Sequence, residues 1–106
     1  MAVVAYLRVS TEKQFLENQR EEIVRFAERN GMSIDKWYTE TVSGSVSSKE
    51  RKLSGVLDKM RPGDSLIVTE ISRLSRTLLE IMTILNSCIK KGVILYSTKE
   101  GYVFQN

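Results

Sequence analysis

An unbroken apolar run, Ala2-Val3-Val4-Ala5 passing into Tyr6 and Leu7, stands almost directly before Thr11-Glu12-Lys13-Gln14, a capping-box pattern. The run reads as a buried strand and the box as the opening of a helix, so the chain starts with a strand that turns at once into a helix. The rest of the sequence repeats that alternation. A helix from about Gln14 to Asn30 sets Leu16, Ile23, Val24 and Ala27 on one face and stops at Gly31, and Met32 to Glu40 reads as a second strand containing Trp37 and Tyr38. Thr41 to Ser48 is rich in Ser and Gly and reads as a mobile loop. Ser47-Ser48-Lys49-Glu50 matches a second capping box and opens a short helix with Leu53, Val56, Leu57 and Met60 inward. After the turn Pro62-Gly63-Asp64 comes a strand, Ser65 to Thr69, then a long helix from about Thr77 to Lys91 that stops before Gly92. Val93 to Tyr96 forms a further strand and Gly101 to Asn106 a short final one. The apolar positions Met60, Met82 and Ile81 to Leu85 read as core or interface packing. This order predicts an α/β domain with a mostly parallel sheet of four to five strands covered by helices. With 106 residues, 42% of them hydrophobic, the chain makes one domain, residues 1–106, with a modest core.

Ser10 falls at the first strand-to-helix junction, two residues after Arg8. Side chains alternate along a strand, so Arg8 and Ser10 share a face opposite Leu7 and Val9. A second pair of guanidiniums, Arg73 and Arg76, follows the strand Leu66-Ile67-Val68 at i, i+3 spacing. If the two strands are neighbours, the arginines and the serine converge at the carboxyl ends of the sheet, where open α/β folds place their sites. Such a cluster suits phosphate. A serine hydroxyl needs a base or a positive field to become a nucleophile, and arginine supplies the field together with a fork that matches phosphate oxygens. Taken alone, Ser10 would be an ordinary helix cap and the arginines ordinary surface residues; their company argues otherwise.

The chain has no histidine, which excludes a Ser-His-Asp triad, and a single cysteine, which with the missing histidine speaks against zinc. The acidic residues show no spacing for a magnesium or calcium loop. No cofactor is therefore expected. The net charge of +3 is a weak basic bias, concentrated between Lys49 and Arg61, where five basic residues meet two acidic ones. Cys88, inside an apolar helix, reads as a core thiol in a reducing compartment. No signal peptide or membrane-length apolar run is present, so the expected location is the cytoplasm.

Tyr6-Leu7-Arg8-Val9-Ser10-Thr11, Gln14 and Gln19 on the first helix, Ser43-Gly44-Ser45, Arg51, and Ile71-Ser72-Arg73-Leu74-Ser75-Arg76 together resemble the catalytic domain of the serine recombinases, the resolvases and DNA invertases. Glu17 to Arg20, Ile34 to Trp37 and Ile81 to Asn86 look most like the master DNA invertase branch. The resemblance implies a resolvase-like three-layer fold and attack of Ser10 on a DNA phosphate. That attack would leave a 5′-phosphoserine and a free 3′-hydroxyl, with strand exchange and religation needing neither metal nor ATP. It further implies that Arg8, Arg73, Arg76 and Arg51 bind the scissile phosphate, and that Tyr6, Gln14, Gln19, Ser43 and Ser72 contact substrate, although Tyr6 also suits plain strand packing. The implied partner is double-stranded DNA. The full-length protein would be a homodimer assembling to a tetramer on DNA in a bacterial nucleoid. Residues 1–106, lacking the family's long dimer helix and helix-turn-helix, would be monomeric and without site specificity. The competing class is a noncatalytic phosphate- or DNA-binding regulatory module of the same fold.

The chain departs from the family pattern at two places. Ser72 stands where most members have an aspartate, and a serine hydroxyl orients a guanidinium weakly and is no base near neutral pH. Glu70 is close in sequence but shares the face of Ser72 only if the strand runs that far. Ser75 replaces a glycine, which is tolerable unless the position needs a positive φ.

Overall fold

Val4, Ala5, Tyr6 and Leu7 are all buried in the first strand, β1 (Val3–Val9), and Ser65 to Val68 are buried throughout β3 (Ser65–Val68). Strands buried on both faces carry continuous apolar runs, and these two are the inner strands of a parallel sheet. The computed structural model describes residues 1–9, 13–41, 52–75 and 77–105, with the backbone alone at Val9, Lys13 to Phe15, Thr41 and Lys52. Among the described residues β1 is followed by α1 (Lys13–Arg29), β2 (Lys36–Thr41), α2 (Lys52–Lys59), β3, a 3-10 turn (Ile71–Arg73), α3 (Leu78–Lys91), β4 (Ile94–Ser97) and β5 (Tyr102–Phe104). The sheet order is β2-β1-β3-β4-β5, with every pair parallel except β4 with β5.

Alternation along the strands divides the core in two. Val4, Tyr6, Leu66 and Val68 pack with Leu53 and Val56 of α2 and Ile81, Ile84, Leu85 and Cys88 of α3. Ala5, Leu7 and Ile67 face the other way, onto Ile23, Leu16 and Phe26 of α1. The result is the expected three-layer arrangement, with helices on both faces of the sheet. Among the described residues no helix is long and apolar enough to cross a membrane.

Several boundaries and faces differ from the sequence reading. Val24 is 37% exposed, and its expected inward place on α1 is taken by Gln19, which is 5% exposed. Residues 16, 19, 23 and 27 keep the three-to-four spacing of one face, whereas Val24 is turned by about 100° from Ile23. Met82 is likewise exposed, flanked by the buried Ile81, Ile84 and Leu85. β2 begins at Lys36 rather than Met32, because the intervening residues are used in leaving α1: the Met32 amide donates to the Ala27 carbonyl at 2.8 Å. Asp35 then joins β1, its amide donating to the Val3 carbonyl and its Oδ2 accepting from the Val3 amide, both at 2.8 Å.

At the same end of the sheet Asp64 ties together three segments. Its Oδ1 accepts from the Ala2 amide and its Oδ2 from the Arg61 amide, each at 2.9 Å, while its carbonyl accepts from Ile94. Those two backbone donors hold the Asp64 carboxyl below the usual carboxylate range. α3 is bounded as its ends demand. The Thr77 hydroxyl accepts from the Glu80 amide at its start, and Gly92 closes it at φ 78°, where an added Cβ would lie 3.3 Å from Pro62.

Candidate active site

The parallel strands β1 and β3 are neighbours, so their carboxyl ends open onto one place, as the sequence reading required. Arg8, on the same face of β1 as Tyr6, reaches across to the turn that follows β3, where its Nη2 donates to the Ser72 carbonyl at 2.9 Å. Arg73, the next residue of that turn, puts its Nη2 3.7 Å from Glu70 Oε1. Gln19 enters from α1 and its Nε2 donates to the Arg8 carbonyl at 3.3 Å. One strand, one helix and the turn after β3 thus bring Arg8, Gln19, Ser72 and Arg73 together. Ser10, Arg51, Arg76 and Ser43 lie outside the described residues, as do the Ser43-Gly44-Ser45 loop, both capping boxes' hydroxyls and the side chain of Gln14.

Gln19 and Arg73 line a cleft of about 340 Å³ with Asn18, Glu22, Arg25 and Lys99. Gln19 Oε1 and Arg73 Nε are buried and have no hydrogen-bond partner among the described residues. A buried acceptor or donor left unpaired costs about 1–3 kcal/mol.

Tyr6 has a different role from the substrate contact the sequence suggested. It is wholly buried, offers no surface to a ligand, and donates its hydroxyl to Glu40 Oε1 at 2.7 Å. Glu40, itself 6% exposed, stands opposite Arg8 in the β1–β2 register. It is the carboxylate that sequence reasoning missed. The signal was available: an acidic residue at the end of an apolar strand, with Tyr38 two positions earlier fixing its face.

Both departures have a structural counterpart. Among the described residues no non-glycine has a positive φ, so Ser75 fits without strain, and its hydroxyl donates to the Glu80 carboxylate. At the other, β3 ends at Val68 and Glu70 is not on a strand at all, yet Ser72 Oγ donates to Glu70 Oε2 at 3.3 Å. The turn, rather than strand alternation, brings the two together.

Residues 3–106 match the family model described as the resolvase N-terminal domain. A resolvase of Clostridium perfringens is 31% identical over 101 residues, which is 95% of this chain and 51% of that protein. The Tn2501 transposon resolvase of Escherichia coli is 45% identical over 82 residues, 74% of this chain and 40% of the resolvase. The chain therefore spans about half the length of the curated relatives it matches. Among solved structures, the N-terminal catalytic domain of TP901-1 integrase superposes with a TM-score of 0.78 at 22% identity, over 97% of this chain and 81% of that one. On the strength of a family match over nearly all its residues, with a fold shared with the integrase domain, the chain belongs to the resolvase family and corresponds to that family's N-terminal domain.

Proposed function

We propose that this domain breaks and rejoins DNA in site-specific recombination, with Ser10 as its nucleophile. The observation that supports it best is the meeting of Arg8, Arg73 and Gln19 at the carboxyl ends of β1 and β3, with an inward guanidinium N–H and an amide oxygen unpaired beside a cleft. Ser10 is the next residue in the chain after β1. In the step envisaged, the Ser10 oxygen forms a bond to phosphorus as the bond from phosphorus to the 3′ oxygen breaks. The serine proton leaves to solvent or a nearby base, the 3′ oxygen takes up a proton, and the DNA 5′ phosphate stays on the serine. A 3′-hydroxyl of another strand reverses the step and reseals the backbone. Arg8 and Arg73, with Arg51 and Arg76, neutralise the charge that builds on the phosphoryl oxygens, and the arginine field favours the serine alkoxide.

The partner in this reading is double-stranded DNA, met by a homodimer that assembles to a tetramer in the bacterial cytoplasm. Residues 1–106 alone bind DNA weakly and without sequence preference, with a shallow salt dependence. DNA inversion is the proposed outcome, supported by the invertase-like segments Glu17 to Arg20, Ile34 to Trp37 and Ile81 to Asn86. A plasmid carrying two sites in inverted orientation distinguishes it from resolution of directly repeated sites. The test of the chemistry is Ser10→Ala in the full-length protein. Cleavage is expected to vanish while site binding stays within about threefold of wild type, under half of the 1.4 kcal/mol that a tenfold change represents. Cleavage that survives in Ser10→Ala would point instead to a noncatalytic module contaminated by another nuclease.

A further inference from the structure

The geometry points to Glu70 as the positioning residue for Arg73, a role that rests on the reading of Ser10 chemistry above. Glu70 precedes the 3-10 turn at its N-cap, but its side chain caps nothing there. The first amide of the turn, that of Ile71, donates to Glu100 Oε1 at 2.9 Å, and Glu100 is in turn held by the Ser97 hydroxyl. The Glu70 carboxylate instead leans over the turn. Its Oε2 accepts from Ser72 Oγ at 3.3 Å, and its Oε1 lies 3.3 Å from Lys99 Nζ and 3.7 Å from Arg73 Nη2.

The arrangement divides the Arg73 guanidinium. Nη2 is held by the carboxylate, and Nε, buried, is left for another acceptor. An ion pair this open contributes little to stability. Its effect is on direction: an arginine has several torsions, and a carboxylate beside Nη2 restricts how the plane that carries Nε can turn. Lys99 Nζ pairs with the same Oε1 at 3.3 Å and Ser72 Oγ with Oε2, so the Glu70 carboxylate has anchors besides the arginine it orients. A carboxylate here also weakens the positive field felt by DNA. Glu70 therefore trades affinity for alignment, and that trade separates it from a structural ion pair.

Glu70→Gln in the full-length protein removes the charge and keeps the shape. The rate of Ser10–DNA adduct formation at saturating DNA is expected to fall tenfold or more, while DNA binding is unchanged or tighter and the thermal midpoint is unmoved. Ser72 Oγ lies within hydrogen-bond reach of the Glu70 carboxylate, so a carboxylate at position 72 reaches much the same place. Ser72→Asp alone, with two carboxylates competing for Arg73, is expected to lose tenfold or more. Glu70→Gln/Ser72→Asp is expected to recover to within threefold of wild type. Glu70→Gln equal to wild type, a loss tracking a lowered thermal midpoint, or a double variant no better than Glu70→Gln would overturn the assignment. A wild-type protein that forms no adduct at Ser10 would instead break the reading on which it rests.

Discussion

The two ends of the sheet use their polar groups in opposite ways. At the amino ends of the strands, Asp35 and Asp64 place their carboxylates on backbone amides at the start of β1 and before β3, tying neighbouring segments together. At the carboxyl ends, Gln19 Oε1, Thr69 Oγ1, Arg73 Nε and Thr98 Oγ1 are the buried side-chain atoms left without a hydrogen-bond partner among the described residues. One end of the fold is saturated and the other is held open. Unpaired buried polar groups cost stability, so the domain is stabilised at one edge and destabilised at the edge where the arginines gather. Substitutions at the two ends should therefore separate stability from chemistry.

The largest expected effect is at the open end. Arg73→Lys and Arg8→Lys keep the charge but lose the fork, and each is expected to lower cleavage by roughly a hundredfold or more, the scale of losing a preorganised donor. Their thermal midpoints are expected to match wild type within a few degrees, as read by circular dichroism. A loss of melting temperature as large as the loss of rate would mean that the two ends are not distinct.

The saturated end should respond in reverse. Asp64→Ala strands two backbone donors and is expected to cost about 2 kcal/mol in denaturant unfolding, with cleavage per folded molecule unchanged. The sign of its pH dependence follows from the lowered native pKa. The contribution is full above the pKa of an unfolded aspartate and is lost as pH falls through the lower native value, so wild type should lose stability on acidification more steeply than Asp64→Ala.

Gln19→Leu sharpens the contrast at smaller scale. It removes an unpaired buried oxygen along with the bond to the Arg8 carbonyl, so stability is expected to change by less than about 1 kcal/mol while cleavage falls. A destabilisation as large as that of Asp64→Ala would show the amide to be structural. The smallest effect concerns neither end: Cys88, 1% exposed, has its thiol pushed up to about 11 by burial, and it should resist alkylation in the native state at neutral pH.

Much of this organisation was legible in the sequence because it rests on local periodicity. The apolar runs gave β1 and β3, and alternation put Arg8 on the face opposite Leu7. Spacing placed Arg73 beyond the end of the strand that starts at Ser65. What escaped depended on contacts between distant segments. Asp35 and Asp64 look like ordinary turn residues until their backbone partners on β1 are known. Glu40 reads as a strand terminus until Tyr6, 34 residues away in the chain, donates to it. Gln19 resembles a substrate contact in the sequence, and only the burial of its helix face shows why Val24 does not belong there. Strand alternation does not place Glu70, because a 3-10 turn rather than a strand follows β3.

The central claim, that the open end of the sheet performs phosphoryl transfer through Ser10 without metal, is tested most directly by trapping the reaction. Full-length protein would be incubated with a nicked suicide substrate in excess EDTA, and the covalent product digested and mapped by mass spectrometry. The account predicts a DNA 5′ phosphate on the peptide containing Ser10, formed at the same rate with and without EDTA. An adduct on any other residue, or cleavage that vanishes in EDTA and returns with magnesium, would contradict it.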